Sequence, residues 1–427
     1  MKIAVIGAGI AGLMSAWLLS RRHDVTLYEA NDYLGGHTHT HNVELHGERY
    51  AVDSGFIIHN PVHYPLLTRL FDELGVASQP TTMSFSVSNE DSGLEYNATS
   101  LDALYCQRRN LLSWHFHGMV RDLLRFYREA PAVLRKTEPG PTLGEYLAEH
   151  HYGAAFRNEH LVPMASALWS APAERILEFP ARHLVQFMVN HQLLNVWRRP
   201  QWRVVRGGSA TYVAALRRHW PVRERIRCAV QAVRRSARGV EVTSPTGSED
   251  YDHAVLACHS DQALTLLADA SAQERTILGA ITYQPNDVVL HTDAHLLPHR
   301  RKAWAAWNAW IPKQPGAACT VSYCMNILQN IRSPEPLVVT LNRSTAIDPG
   351  KVLHRMRYHH PVYTHTAFTA QRRKAEIQGR RHTWFAGAYW GFGFHEDGMR
   401  SAVEVAHALG VDWPLADIAA TAGAAAA

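Results

Sequence analysis

The stretch "KIAVIGAGIAGLMSAWLLSRRHDVTLYEA", residues 2–30, constrains the fold of this chain more than any other. Ile3 to Ile6 is a β-branched-rich run suited to a strand buried on both faces. Gly7, Gly9 and Gly12 follow at G-x-G-x-x-G spacing and open a helix that runs to Arg21 or Arg22. Val25 to Tyr28 is the second strand, and Glu29 ends it. In this pattern Gly7 makes the tight turn, Gly9 lets the backbone approach a pyrophosphate at the helix N-terminus, and Gly12 lets helix and strand pack closely. Glu29 stands where a carboxylate accepts hydrogen bonds from a ribose 2′-hydroxyl and would repel a 2′-phosphate, which disfavours NADP. The competing reading is a glycine-rich core helix, and one Lys before an apolar run also opens a signal peptide. The glycine spacing argues against the signal peptide.

The alternating stretch "GGHTHTHN" begins six residues after Glu29. Strand spacing could put His37, His39 and His41 on one face, and three imidazoles can hold zinc or copper. No acidic or cysteine partner accompanies them, so the expectation is that they border a nucleotide cofactor and that there is no metal site.

The length of 427 residues with 46% hydrophobic content predicts two domains. Five cysteines, an odd number without a Cys-x-x-Cys pair, fit a reducing compartment. The remaining uncharged runs fall short of a membrane-spanning helix. The expected location is cytoplasmic, with peripheral contact at the inner face of an anionic membrane as the sharper use of the +5 net charge. Basic residues lie among apolar ones and no recognition module is present, which argues against nucleic acid.

A classical NAD domain would continue through alternating strands and helices. This chain becomes irregular after "YAVDSGFIIHN", and nucleotide-domain text resumes much later. "RVVRGGSATYVAALRRHW" carries a glycine pair before a helix. "DHAVLACHS" holds a buried strand, Ala254 to Ala257. "TWFAGAYWGFGFHEDGMRSAVEVAHALG" reads as strand, loop and helix, with Asp397 as N-cap and Gly410 as stop. The expected fold class is α/β, with a discontinuous Rossmann-like domain over 1–75, 201–265 and 380–415. An α+β domain takes 76–200 and 266–379, and a frayed tail 416–427.

These segments resemble the FAD-dependent amine oxidase-like superfamily of protoporphyrinogen oxidases, phytoene desaturases and monoamine oxidases. "GGHTHTHNVEL", "VDSGFIIHNPVHYPLL", "WAAWNAW", "YCMNILQN" and "FHEDG" look like a bacterial subfamily labelled predicted NAD/FAD-binding protein. That subfamily is similar to a desaturase of furan fatty acid biosynthesis. The resemblance implies a flavoprotein with non-covalent FAD and a substrate domain. It carries Gly7, Gly9, Ala11 and Gly12 onto the pyrophosphate loop and Glu29 onto the ribose. Gly35, Gly36, His37 and Thr38 match the loop toward the flavin, Gly55, Phe56 and Ile57 a segment near the ring, and Val230 a contact to adenine. Gly387 and Glu396, Asp397, Gly398 and Met399 match the ribityl and pyrimidine end. Two departures stand out: His37 replaces an arginine common in the superfamily, and Ala388 a glutamate common in amine oxidases. No cysteine beyond 324 is available to link the flavin, while a histidyl link at His37 or His39 remains open.

The implied reaction moves a hydride equivalent from a substrate C–H to flavin N5, with a helix starting near Gly398 aimed at the flavin N1/O2 region. Candidate bases are His37, His59, Tyr64, Tyr323 and His395, each with an ordinary packing reading beside it. Lys302, in "HRRKAWAAWNAW", reads as a surface-to-strand passage and is weighed against that as the lysine that holds water beside N5. Trp304, Trp307 and Trp310, with Tyr323, Met325 and Asn326, are either core or the wall of an apolar tunnel. From Cys106 to Lys136, seven Arg/Lys face two Asp/Glu. An apolar stripe from Leu111 to Phe126 there reads either as a membrane-lying helix or as a substrate-domain helix. Three functions follow: an oxidoreductase that desaturates a lipid acyl chain or other apolar substrate, a flavin amine oxidase, and a non-catalytic FAD-binding protein. Oligomeric state is left open.

Overall fold

The computed structural model describes residues 1–135, 140–169, 173–195, 200–218, 220–314 and 319–413. Its first strand is Lys2–Ile6, and alternate residues of a strand face opposite ways. Ile3 and Val5 enter one apolar core with Leu13, Val25 and Val405, while Ala4 and Ile6 enter another with Val233, Val242 and Leu256. Both faces are covered, as a run without polar alternation requires.

This strand is central in a five-stranded sheet ordered Val222–Arg225, Asp24–Tyr28, Lys2–Ile6, His253–Leu256, Thr383–Phe385. Every neighbouring pair is parallel. Helices Ile10–Leu19 and His395–Ala408 pack together over one face. The antiparallel strands Ala232–Arg235, Val240–Ser244 and Gly247–Tyr251 lie over the other. The chain leaves Lys2–Ile6 toward one edge and returns later on its other side. That reversal opens a crevice beyond the carboxyl ends of the strands, between Gly7 and Ala257.

A second, seven-stranded sheet runs Val352–Val362, Thr282–His291, Val338–Leu341, Thr320–Cys324, Trp307–Ile311, Phe85–Asn89, Leu94–Asn97. It is antiparallel except where Trp307–Ile311 meets Phe85–Asn89. Helices Trp114–Glu129, Val162–Trp169 and Ala181–Asn190 share an aromatic-rich core with it. The molecule is therefore a mixed α/β fold.

Three local expectations change. The last helix starts at His395 rather than near Gly398. Asp397 is not its N-cap but reaches back from the first turn to accept the Phe394 N–H at 3.1 Å. Gly410 does end the helix, at φ 79°, with its N–H on the His407 carbonyl. The apolar stripe on Trp114–Glu129 divides: Phe116, Met119 and Phe126 are buried among Tyr96, Tyr146 and Phe156, whereas Leu111, Leu112, Trp114 and Leu124 are exposed. Val120 and Leu123 are half-buried against the same cluster, so the helix presents one face to these aromatics and leaves its first turn outside. The 416–427 tail lies outside the described residues.

Candidate active site

Two backbone segments build the floor of the crevice. Gly7 holds φ 98°, and its N–H reaches the Tyr28 carbonyl at 2.8 Å, turning the chain at the strand end. A Cβ on Gly12 would stand 1.8 Å from the Gly7 carbonyl oxygen, so only glycine lets the helix sit this close. Gly9 bridges to Gly35, and the Gly35 N–H donates to the Ala8 carbonyl at 2.8 Å. A Cβ on Gly9 would meet nothing within 4 Å, which leaves its backbone open to the crevice. The N–H groups of the first helical turn, Ile10 and Ala11, have no intrahelical partner and line the same space. Glu29 forms the next part of the wall. Its Oε2 accepts the Ala8 N–H at 2.8 Å and its Oε1 the Asn31 N–H at 2.8 Å, and a carboxylate has lone pairs to spare for a diol. Open backbone, free N–H donors and a strand-end carboxylate fit the adenosine diphosphate half of FAD.

The cleft, of about 880 Å³, continues from this floor to the seven-stranded sheet. Gly7, Gly9, Ala11, Glu29, Gly36, His37, Gly55, Phe56, Ile57, Val230 and Gly387 line it, as do Tyr64, Tyr323 and His395. Gly12, Gly35 and Thr38 stand behind the wall. Thr38 shares hydrogen bonds with Tyr212 at 2.5 Å and with His395 Nε2 at 2.9 Å, which fixes His395 flat against Phe56, ring centres 3.7 Å apart.

Of the "HEDGM" residues His395 faces the cleft, while Glu396, Asp397, Gly398 and Met399 hold the wall from behind. Glu396 accepts the N–H groups of Leu66 and Leu67, at 2.8 and 3.1 Å, and so caps helix Pro65–Leu74. Burial pushes its carboxyl up to about 7. Asp397 ties down the Gly391–Phe394 loop through the N–H groups of Phe392 and Phe394. A Cβ on Gly398 would press on Ile10, and Met399 is wholly buried in the core.

The candidate bases separate by position and by protonation. His59 is 1% exposed and packs on Phe71 away from the cleft. Burial raises the phenols of Tyr64 and Tyr323, so both remain neutral at ordinary pH. Burial holds His37 down to about 4 and His395 well below the ordinary histidine value. Lys302 lies on the surface in the turn Arg301–Ala303 before the strand, 3.0 Å from Asp102 and off the cleft, which matches the surface-to-strand reading and not a lysine beside N5. Of the three tryptophans only Trp307 reaches the cleft, since the strand starts there; Trp304 donates to the Pro298 carbonyl and Trp310 lies under Arg343. Met325 is core, and Asn326 organises the turn to Leu337.

The histidine alternation resolves into a stacked array. The ring of His37 lies 5.4 Å from His360 and 6.2 Å from His259, and meets Tyr358 edge-on at 4.9 Å. His39 stacks on Tyr33 and lies 4.1 Å from His41. Burial, then mutual repulsion, holds His37 and His259 down to about 4 and His360 to about 3. Among the described residues no group of three or more His, Cys, Asp or Glu is placed to hold a metal. His259, Tyr358 and His360 escaped the sequence reading. The one available signal was that His259 lies just past a strand end that borders the crevice.

Beyond Phe56 the cleft is apolar: Leu168, Trp169, Phe187, Trp202, Trp307 and Phe394 contribute to its wall. Among the described residues its acidic side chains, Glu29 and Asp261, belong to the nucleotide end with Val230. The indole N–H groups of Trp169 and Trp307 are buried without a partner. His191 donates Nδ1–H to the Phe187 carbonyl at 2.9 Å, and burial holds it to about 3.

The sequence profile described as "Flavin containing amine oxidoreductase" matches residues 10–307, more than half of the chain. Tryptophan 2-monooxygenase of Allorhizobium ampelinum is 38% identical over 101 residues, 23% of this chain but 13% of that protein. Among solved structures, cyclohexylamine oxidase from Brevibacterium oxydans superposes with a TM-score of 0.67 at 16% identity, covering 96% of this chain and 99% of that one. A CLA-producing fatty acid isomerase from P. acnes gives 0.68 at 17%, covering 96% and 98%. At these identities the structures speak for the fold.

Proposed function

From the premise that the chain belongs to the flavin containing amine oxidoreductase family, a catalytic family of FAD-dependent oxidoreductases, we propose that it oxidises the C–H bond beside the nitrogen of an apolar monoamine. The observation that carries this reading is the apolar, aromatic inner half of the cleft, whose described lining holds no carboxylate. A neutral amine enters such a lining without stranding a charge. An ammonium, or a diamine with a distal charge, finds no carboxylate there and would be stranded.

FAD, when bound, accepts the hydride equivalent. The protein's part is to hold the C–H donor against the ring and to exclude water. Phe56, Phe394 and Trp307 do both as stiff apolar walls. Among the described residues of the inner cleft, His191 is held to about 3 and the phenols of Tyr64 and Tyr323 are raised, so none of these three is an effective base near neutrality. An amine needs none, because its own lone pair forms the new C=N bond as the hydride leaves. In this reading the segments 1–75, 201–265 and 380–415 hold FAD as a discontinuous Rossmann-like domain, and 76–200 and 266–379 close the substrate side.

A second reading has the same apolar wall in its favour: desaturation of a methyl-branched or unsaturated acyl chain of a phospholipid. It requires a base for the second proton, a role for which His191, Tyr64 and Tyr323 are poorly suited. The two separate in an anaerobic visible spectrum of the FAD-loaded protein. Bleaching by neutral alkyl- or arylmonoamines, faster as pH rises, supports amine oxidation. Bleaching only by phospholipids with methyl-branched monounsaturated chains overturns it in favour of desaturation. No bleaching by either would move the protein to the non-catalytic reading.

A further inference from the structure

The site makes no use of the tip formed by the 3-10 turn Arg108–Leu112 and the first turn of helix Trp114–Glu129. Leu112 is 89% exposed and Trp114 90%, beside Leu101 at 76% and Leu111 at 50%. These are four of the eight large apolar side chains that the described surface exposes. The tip is built rather than loose. Ser113 Oγ accepts the Phe116 N–H at 3.2 Å, His117 Nε2 donates to the Leu111 carbonyl at 2.9 Å, and Tyr105 packs edge-on against Phe116 at 5.4 Å. With Phe116 and Met119 taking the core positions, the helix phase leaves Trp114 outward.

Cations ring this tip. Arg108 and Lys302 share one carboxylate, Asp102. Arg109 donates to the Gly93 carbonyl at 3.1 Å, a neutral partner, with Glu90 and Asp91 the exposed acids of that turn. Arg121 is 76% exposed and reaches the buried Asp122 at 3.3 Å, whose other oxygen accepts the Gly153 N–H. The helix thus shows Arg121 and Arg128 outward, keeps Arg125 half-buried and holds its first acid inside.

We propose that this tip docks the protein on an anionic lipid bilayer, with Leu112 and Trp114 entering the interface and Arg109 and Arg121 meeting headgroup phosphates. Side chains this exposed stand off the surface and offer no groove for a protein partner to fill. A bilayer needs no complementary shape, and it receives Trp at the headgroup level with Leu just below. Arginines around an apolar tip add attraction to anionic lipid that salt screens. The inference is independent of the substrate.

The test is flotation of the full chain with phosphatidylcholine vesicles, with and without phosphatidylglycerol, at low and high salt. The expected result is binding to the anionic vesicles that weakens with salt. Leu112→Asp with Trp114→Asp should reduce it by about 10-fold or more, the scale of moving two apolar side chains back into water, with melting temperature and FAD content unchanged. Arg109→Glu with Arg121→Glu should reduce it while leaving the apolar tip intact. Absence of wild-type binding, or equal binding by the Asp variant, overturns the proposal. So does a concentration-dependent dimer that only the Asp variant loses, which would assign the tip to a second copy of the chain.

Discussion

Gly9 and Gly12 are three residues apart and do opposite work. At Gly12 a side chain collides with the protein itself, 1.8 Å from the Gly7 oxygen, whereas at Gly9 it meets open cleft. Gly12→Ala should therefore destabilise the fold by roughly 1–3 kcal/mol or more, as overpacking does. Gly9→Val should melt close to wild type yet bind FAD at least about 100-fold more weakly, the scale of losing two hydrogen bonds to a charged group. Flavin titration of the two apoproteins beside their melting curves checks both, and full flavin occupancy in Gly9→Val would refute the account of the loop. These roles were readable from the chain because the residues that share them are consecutive. His259, Tyr358 and His360 were not: each is unremarkable in its own segment, and only the crossing of two sheets brings them to His37.

At the scale of elements, the strand–turn–helix at the start was legible because burial on both faces, glycine spacing and the terminal carboxylate all point the same way. The last helix was legible as a helix but not in its start or its purpose. "HEDG" looks like a cofactor loop, and its charges instead face inward, since buried backbone N–H groups on Pro65–Leu74 and on the Gly391–Phe394 loop require acceptors. Asp397→Ala would leave the Phe392 and Phe394 N–H groups unpaired, at about 1–3 kcal/mol for a buried donor. Because Phe392 and Phe394 line the cleft, the variant should lose flavin affinity along with stability. An equal loss of stability in FAD-loaded and apo protein would mean that flavin affinity is unchanged and would limit Asp397 to folding. On Trp114–Glu129 the helical period was correct, but period alone cannot tell a core from a membrane. The aromatics of the neighbouring helices decide that, and they claim Phe116, Met119 and Phe126.

Over the whole molecule, the buried titratable groups oppose one another as pH changes. Eight histidines, His37, His41, His59, His63, His191, His259, His291 and His360, are held down to about 3 or 4 by burial first, and in most of them by neighbouring charges as well. Each binds a proton more readily unfolded than folded, so its contribution is present above about 6.5 and is lost as pH falls toward the folded value. Three carboxyls act in the other direction: burial raises Asp397 above its ordinary value and pushes Asp53 up to about 6 and Glu396 to about 7. The contribution of the last two is present below the usual carboxyl range and is lost as pH rises through 6 to 7. A buried imidazole moved from 6.5 to about 4, as His59 is, costs roughly 3 kcal/mol in full. With eight such groups against three, the histidines govern the acid limb. The melting temperature of the apoprotein should fall steeply from pH 6.5 to pH 4.5. Glu396→Gln, which keeps an acceptor for the Leu66 and Leu67 N–H groups without the charge, should gain stability relative to wild type at pH 8 and lose that advantage near pH 5. Thermal melts of both proteins across pH 4.5–8 decide it. A flat wild-type profile between pH 6.5 and 4.5 would mean that these histidines are solvated in the folded state, and that the stacked array beside Gly36 is not a dry wall.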